Sequence, residues 1–472
     1  MSPMRNKPVF RLLPLTLSVT VALLAAGCAV GPAYQRPSTP EPAAFKEAQG
    51  WVPAAPGDAL ERGPWWQLFG DAELDRLAGE AARANQEVAA AVANYAQARA
   101  VVAQQRASLF PVVSLGAGAD RAGGGERSPS NQYRVSIGGS WEPDLFGRLR
   151  NSVTSAQAGA AATAADLANV RLAVQGELAS NYFALRQLDA QRALLGTTVE
   201  GYQRVLQITQ NRFNAGIAAK SDVLQAQTQL ANARNDELGL ARQRAQLEHA
   251  IAVLVGRAPS EFALAPAPWT VSVPEVPVGV PSILLQRRPD IAAAERDVAA
   301  ANAGIGVARS AYFPNIGLSA SYGGAASRVG DLFSASAAAW SFGLSAAQTL
   351  FNAGATRASV QGAEARHQAA VARYRQTVLD AFADVENQLS ATRVLAQQQE
   401  LRRQAAEAAN LVEEQMLNRY KAGQVSYTEV VQAQVTALSA RRALVQVQAD
   451  RQTAAVALIQ ALGGGWRADS GQ

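Results

Sequence analysis

No proline interrupts the chain from Asp144 to Ala258, a run of 115 residues, and none follows Pro314. Proline is the residue that a helix interior tolerates least, and these runs are rich in Ala and Gln, so very long helices are the natural reading. The apolar residues support it. Val170, Val174, Leu178, Tyr182 and Leu185 lie on one stripe, as do Val371, Tyr374, Val378, Phe382, Val385 and Leu389. Steps of three and four are the spacing that coiled helix packing requires. The pattern predicts a helix from about Arg148 to Phe213, which at 1.5 Å per residue spans on the order of 100 Å. An ordinary globular domain has no use for that length. The chain then returns through Val223, Leu230, Leu238, Leu247, Ile251 and Leu254 to Gly256.

The turn between these helices occurs twice. Residues 211–227 read NRFNAGIAAKSDVLQAQ and residues 418–434 read NRYKAGQVSYTEVVQAQ, 207 positions apart. In each, a helical pattern runs into a glycine, Gly216 or Gly423, and an N-cap-like Ser221-Asp222 or Thr428-Glu429 opens the next helix. Earlier landmarks repeat at smaller offsets. Phe110-Pro111 matches Phe313-Pro314 at 203, and Leu145-Phe146 matches Leu350-Phe351 at 205. The drift is assigned to the strand loop and to the joint between strand and helix, where insertions are tolerated.

Between the helices of each copy the period changes from 3.6 to 2. Val113, Leu115, Ala117 and Ala119 alternate with small or polar residues, and so do Tyr133, Val135, Ile137 and Trp141 after a polar loop from Arg121 to Asn131. The second copy repeats this with Ile316, Leu318, Ala320 and Tyr322, then Trp340, Phe342 and Leu344. One such hairpin reads best as a half-buried soluble ribbon. Two of them, each far along the chain from a helix tip, read as transmembrane strands. Four strands cannot close a barrel, and lipid does not tolerate open edges. Other copies of the chain must complete the wall, and a trimer supplies 12 strands.

The N-terminus carries Arg5, Lys7 and Arg11, then an apolar run from Leu12 to Ala26 that is too short to span a membrane. It ends at Cys28, the only cysteine. The context AGCAVGP resembles a bacterial lipobox, which implies signal cleavage and a covalent N-terminal lipid on Cys28, with no other cofactor. Ala29 after the cysteine permits delivery to the outer membrane on that resemblance. Cleavage removes three of the 43 basic residues and none of the 38 acidic ones, lowering the net charge from +5 to +2. Without a dense Lys/Arg cluster, nucleic-acid binding has no support. His249 and His367 lack metal-ligand neighbours in sequence, and no nucleophile elbow, P-loop, zinc-helix or dinucleotide motif is present. The sequence does not point to an enzyme.

The organisation that follows is a signal peptide at 1–27 and an extended, lipidated, Pro-rich tether at 28–63. A first repeat occupies 64–256, a Pro-rich joint 257–289, a second repeat 290–463, and a short tail 464–472. The first repeat opens with PWWQLFGD, in which Trp65, Trp66, Leu68 and Phe69 form a core clump and Asp71 starts a helix that runs on to Leu109. The joint holds seven of the 21 prolines and a short strand at Trp269–Val273.

The lipobox, PWWQLFGD, WEPDLFGR, LLQRRPDIAAAE and the two tips together resemble the TolC-like superfamily of outer-membrane efflux channel lipoproteins, in its NodT-type branch. That resemblance implies a mainly α fold with transmembrane β. Long helical hairpins form a trimeric α-barrel continuous with a 12-stranded outer-membrane β-barrel, plus a mixed equatorial region. It implies a homotrimer in outer-membrane lipid, working with a periplasmic adaptor protein and an inner-membrane pump, often of the proton-driven RND type. It implies a passive channel for small molecules, with protein secretion through the same architecture as the alternative; a periplasmic coiled-coil lipoprotein is the competing class. The tips become an iris-like gate. Tyr420 and Asp222 stand where the family has a tyrosine–aspartate clasp, although Asp222 suits a helix cap equally well. Glu429 stands at a constriction position, with Gln432 where some members have a second acid and Val425 where some have an arginine. Three Glu429 carboxylates facing one axis attract cations; otherwise Glu429 serves its helix N-terminus. Arg212, Gly216, Arg419 and Gly423 mark the tips that contact the adaptor.

Overall fold

The computed structural model describes residues 30–40, 42, 44–48, 64–125, 127–269, 271–274 and 288–464. The signal peptide, Cys28, the final eight residues and much of the Pro-rich joint lie outside them. The elements run in two copies. A 3-10 turn, Trp65–Phe69, precedes α1 (Ala72–Ala84), α2 (Gln86–Ala107), β1 (Val112–Gly124), β2 (Arg127–Trp141), α3 (Arg148–Asn214) and α4 (Lys220–Leu254). Then come α5 (Pro289–Ser310), β3 (Asn315–Ala326), β4 (Ala338–Ala347), α6 (Ala355–Lys421) and α7 (Tyr427–Ala461). No described helix is long and apolar enough to cross a membrane.

The copies match in length. α3 and α6 each have 67 residues, α4 and α7 each have 35, and α2 and α5 each have 22. The pairs Arg148/Ala355, Asn214/Lys421, Lys220/Tyr427 and Leu254/Ala461 all lie 207 apart. The sequence reading placed part of the drift at the strand–helix joint, but the structure places its net amount in the β-hairpin loops. Trp141 Nε1 donates to the Leu109 carbonyl at 2.9 Å, and Gln348 Nε2 donates to the Tyr312 carbonyl at 3.2 Å. The acceptors are 203 apart and the donors already 207 apart. The Leu-Phe match at 205 is a local slip that cancels before the helices begin.

The chain divides into two compact units that cut across the repeats. One comprises residues 1–38, 94–164 and 293–375, and the other 39–93, 165–292 and 376–472. The first unit contains the four-stranded antiparallel sheet, in the order β1-β2-β3-β4. Its register carries Leu115, Ile137, Tyr322 and Trp340 across one row, and Ser114, Gly138, Ser321 and Ser341 across the next. Directly paired residues share a face, so one face is mainly apolar, with Arg121 and Asn131 toward the β1–β2 turn, and the other is mainly Ser, Gly and Ala, with Asp120, Gln132 and Arg134 near the same end. On the apolar face Leu115, Trp340, Phe342 and Leu344 are all at least 70% exposed. The first hairpin is longer than its sequence suggested. The stretch from Arg121 to Asn131, expected as a loop, continues the ladder through a bulge between Ala122 and Gly124. Small residues and Pro129 make it read as loop, yet cross-strand pairing absorbs it.

Residues 30–38 also belong to the first unit, and they are strapped down. Tyr34 donates to Glu295, Arg36 Nε donates to the Tyr374 hydroxyl at 3.1 Å, and Asn302 Nδ2 donates to the Pro32 carbonyl at 2.9 Å. Burial beside the Glu295 carboxylate pushes the Tyr34 phenol up from its ordinary value. In the second unit the strap continues. Phe45 is buried against Phe382, and the amides of Lys46 and Glu47 donate to the Glu386 carboxylate at 2.7 and 2.9 Å. The expected free tether is therefore, over its described residues, a bound segment.

The second unit holds the clump at Trp65 and Phe69, both buried, although Leu68 is half-exposed. Asp71 caps α1 by accepting from the Glu73 and Leu74 amides, as its sequence position suggested. The single helix expected to Leu109 is broken at Asn85, which is extended. Its Oδ1 accepts from the Glu87 and Val88 amides to start α2, while its Nδ2 donates to the Leu254 carbonyl to close α4. Beside it Gly256 has φ +73, and a Cβ there would come within 2.2 Å of the Ala84 carbonyl. Only glycine meets both conditions.

Over its described residues, 269 and 271–273, the expected strand does not form, and helix side chains hold carbonyls and an amide of the joint between Leu264 and Ser272. Arg186 and Arg244 donate to the carbonyls of Ala265 and Leu264, Glu248 accepts from the Leu264 amide, and Gln452 donates to the Ser272 carbonyl. Asp189 sits between the two arginines at 3.1 and 2.6 Å, and all three are more than nine-tenths buried. Removing one partner of a buried ion cluster leaves uncompensated charge. Asp189→Ala should therefore cost about 3–5 kcal/mol, read as a lowered unfolding midpoint of the detergent-solubilised protein; an unchanged midpoint refutes this role.

Candidate gate at the helix-hairpin tips

Each long helix ends in the same hydrogen-bonded turn. At the first tip the Gly216 amide donates to the Phe213 carbonyl at 2.9 Å and the Ile217 amide to the Arg212 carbonyl at 2.8 Å. At the second, Gly423 donates to Tyr420 and Gln424 to Arg419, both at 2.9 Å. These are Schellman closures, and both glycines have φ +74, a conformation costly for any residue with a Cβ.

The starts of the return helices differ. α4 begins at Lys220 with Ala219 at the cap and no side-chain bond, so neither Ser221 nor Asp222 caps it. Asp222 lies in its first turn, half-buried, where the helix dipole favours a carboxylate. α7 begins at Tyr427 with Ser426 at the cap, two positions before the expected cap at Thr428. Glu429 Oε1 reaches back to the Ser426 amide at 3.3 Å and to its hydroxyl at 3.2 Å. Within the chain, Glu429 therefore serves its own helix. It is exposed, and so is Gln432 one turn on.

The tips meet in an apolar cluster of Val205, Ala226, Tyr420, Tyr427 and Val430, with Val425 packed on its edge. That packing accounts for an apolar side chain at position 425. The Tyr420 ring is 5.5 Å from the Tyr427 ring, and its hydroxyl is buried without a hydrogen-bond partner. Tyr420 and Asp222 are thus not joined in the single chain. Burial first, and then the neighbouring acidic groups, Asp222 among them, push the Tyr427 phenol up from its ordinary value. Tyr427 was not singled out from sequence; the signal that could have found it is the capping-box pattern Ser426-x-x-Glu429, passed over in favour of Thr428 as the helix start.

Arg212 turns inward. Its guanidinium lies 5.0 Å over the Tyr420 ring, and Nη1 donates to the carbonyls of Tyr420 and Lys421 at 3.4 and 3.3 Å. It thus places a cation at the C-terminus of α6, where the dipole is negative, and ties one hairpin to the other. Arg419, its counterpart in the second copy, is exposed.

Two segments, residues 77–257 and 280–464, match the family model described as outer membrane efflux protein, one segment for each structural copy. The chain belongs to the outer membrane efflux protein family. It is 33% identical over 469 residues to the probable efflux pump outer membrane protein TtgC of Pseudomonas putida, covering 97% of this chain and 96% of that one. It is 30% identical over 460 residues to the cation efflux system protein CusC of Escherichia coli, covering 96% and 98%. Among solved structures, the outer-membrane channel OprN superposes with a TM-score of 0.87 at 32% identity, covering 93% of this chain and all of that one. The open state of the Neisseria gonorrhoeae MtrE outer membrane channel superposes at 0.82 with 30% identity, covering 94% and 100%.

This efflux protein is accordingly the outer-membrane channel of an efflux system, with α-barrel and β-barrel parts. Its strands form the membrane-spanning part, and its helices extend into the periplasm. Arg212→Ala should remove about 1–2 kcal/mol of tip-to-tip attraction per chain and raise resting conductance in planar bilayers, with Arg212→Lys intermediate. Equal conductance in all three proteins removes Arg212 from the gate.

Proposed function

We propose that three copies of this chain form a passive, non-catalytic channel that receives small molecules from a periplasmic adaptor and an inner-membrane pump of the RND type. A lipid on Cys28 anchors each copy. The observation that carries the reading is the sheet, with one face apolar from Val113 to Ala119 and across its partners, one face mainly of Ser and Gly, and two edges that are unpaired among the described residues. Lipid offers those edges no hydrogen bonds, so β4 of one copy pairs with β1 of the next.

The repeat specifies that register. Ile137 pairs with Tyr322 inside the chain. The equivalents, 207 ahead and 203 back, are Leu344 and Ala119. Paired Cα atoms in an antiparallel ladder lie about 4.5–5.5 Å apart, within disulfide reach. The double variant Leu344→Cys/Ala119→Cys should give oxidant-dependent dimers and trimers on non-reducing gels, whereas Leu344→Cys/Ala117→Cys, two residues out of register, should give far fewer. Absence of cross-links in both variants rejects this strand closure.

The helix tips form the resting seal. Tyr420, buried at the end of α6 against Val205 and Ala226 of the other hairpin, holds the two hairpins of each copy together, and the Asp222 carboxylate adds its charge beside Tyr427. Exposed Glu429 and Gln432 line the opening, and the exposed tip residues around Gly216, Arg419 and Gly423 meet the adaptor. Tyr420→Phe combined with Asp222→Ala should raise single-channel conductance; the parental value in the double variant excludes a clasp at these residues.

A further inference from the structure

The ladders assign a face to every strand residue, and they separate the charges. In β1, Asp120 shares the Ser/Gly face with Ser114, Gly116 and Gly118; in β2, Arg134 shares that face with Ser136 and Gly138. Arg121 falls on the apolar face instead. Asp120 pairs directly with Gln132, and Arg134 with Gly118, so Asp120 and Arg134 are diagonal neighbours. Arg134 Nη1 lies 3.5 Å from Asp120 Oδ2, and Arg134 Nη2 donates to Gln132 Oε1 at 2.5 Å. Both side chains are more than half exposed. Among the described strand side chains, these two carry all the charge on this face. Asp120 lies near the end of β1 that leads into the β1–β2 turn, away from the end that follows α2.

We propose that three Asp120–Arg134 pairs form a charge-balanced collar near the outer end of the lumen, and that this collar keeps the exit indifferent to the sign of the cargo's charge. The inference rests on the trimeric channel reading. A cation and an anion a few ångströms apart act on a passing solute as a short dipole, whose field falls off quickly and is screened by salt. Removing either member leaves three like charges around one ring. The other described strand side chains on this face carry no charge to offset them, so solutes of opposite sign concentrate there. The collar is therefore a specificity element whose effect appears on breaking the pair. Exposed pairs contribute little to folding, so the single variants should assemble normally.

Ser136→Cys, two residues from Arg134 on the same face, serves as the reporter in the full-length protein in intact cells. Cys28 is the sole native cysteine, and the parent protein supplies the blank. The rates of modification by a cationic trimethylammonium-ethyl and an anionic sulfonatoethyl methanethiosulfonate, added outside, are measured with the pair intact and broken. With the pair intact, the ratio of rates should match that of a free thiol within about twofold. Asp120→Asn should shift it about fivefold toward the anionic reagent, Arg134→Gln should shift it comparably toward the cationic one, and the double variant should restore it. Single variants that leave the ratio unchanged, with normal trimer yield on unheated gels, overturn the collar. A reporter at 136 that reacts with neither reagent, while Ile137→Cys reacts with both, overturns the face assignment and with it the channel reading.

Discussion

A bilayer interior contains no water to satisfy the edge of a β-sheet, and among the described residues this chain brings four strands with both edges unpaired. Much of the structure follows from that constraint. The strands succeed in membrane only as part of a closed wall, and the chain reaches closure by association instead of by length. Association of a sheet that is apolar on one face and polar on the other leaves no choice about orientation. The Ser/Gly face encloses water, and the exposed Leu, Trp and Phe side chains meet lipid.

Closure by copies also explains why the duplication is held so strictly. Six hairpins can stand around one axis only if each long helix delivers its tip to the same level, and α3 and α6 do so with equal numbers of residues. The equivalence extends to single bonds. Asn85 closes α4 on the Leu254 carbonyl, and Arg288 reaches the Ala461 carbonyl, the matching position in the second copy. Where the copies diverge, function has room. The first tip leaves α4 without a side-chain cap, while the second engages Ser426 and Glu429, and Arg212 faces inward while Arg419 faces out.

The sequence made the helices, the tips and the alternating strands legible, because each is written in a local period or in a glycine at a helix end. What it concealed depends on distant partners. Asn85 breaks a helix by capping α2 with its own side chain, and the bond from the same side chain to the distant Leu254 carbonyl is the part no local pattern shows. Val30 to Ala48 read as a loose tether because proline and alanine dominate, whereas Glu386 and Tyr374 hold it through polar bonds. A short strand was expected at Trp269, yet Gln452 takes the Ser272 carbonyl, and Arg186 and Arg244 take those of Ala265 and Leu264 just before it. Around the gate, the glycines and tip arginines could be named from sequence. The inward turn of Arg212 and the unpartnered Tyr420 hydroxyl required coordinates, since both depend on how one hairpin meets the other.

The equal helix lengths restrict how such a protein can change over generations. Each residue of an α-helix advances the azimuth by about 100°, so a one-residue insertion within α3 would turn everything beyond it onto the wrong face. A compensating insertion in α6 would have to arise at the same time. The hairpin loops carry no such penalty, and the offset between the copies changes there, from 203 to 207. Variation by length is thus directed to the surface that faces the outside of the cell, while variation within the long helices is confined to exchanging one side chain for another.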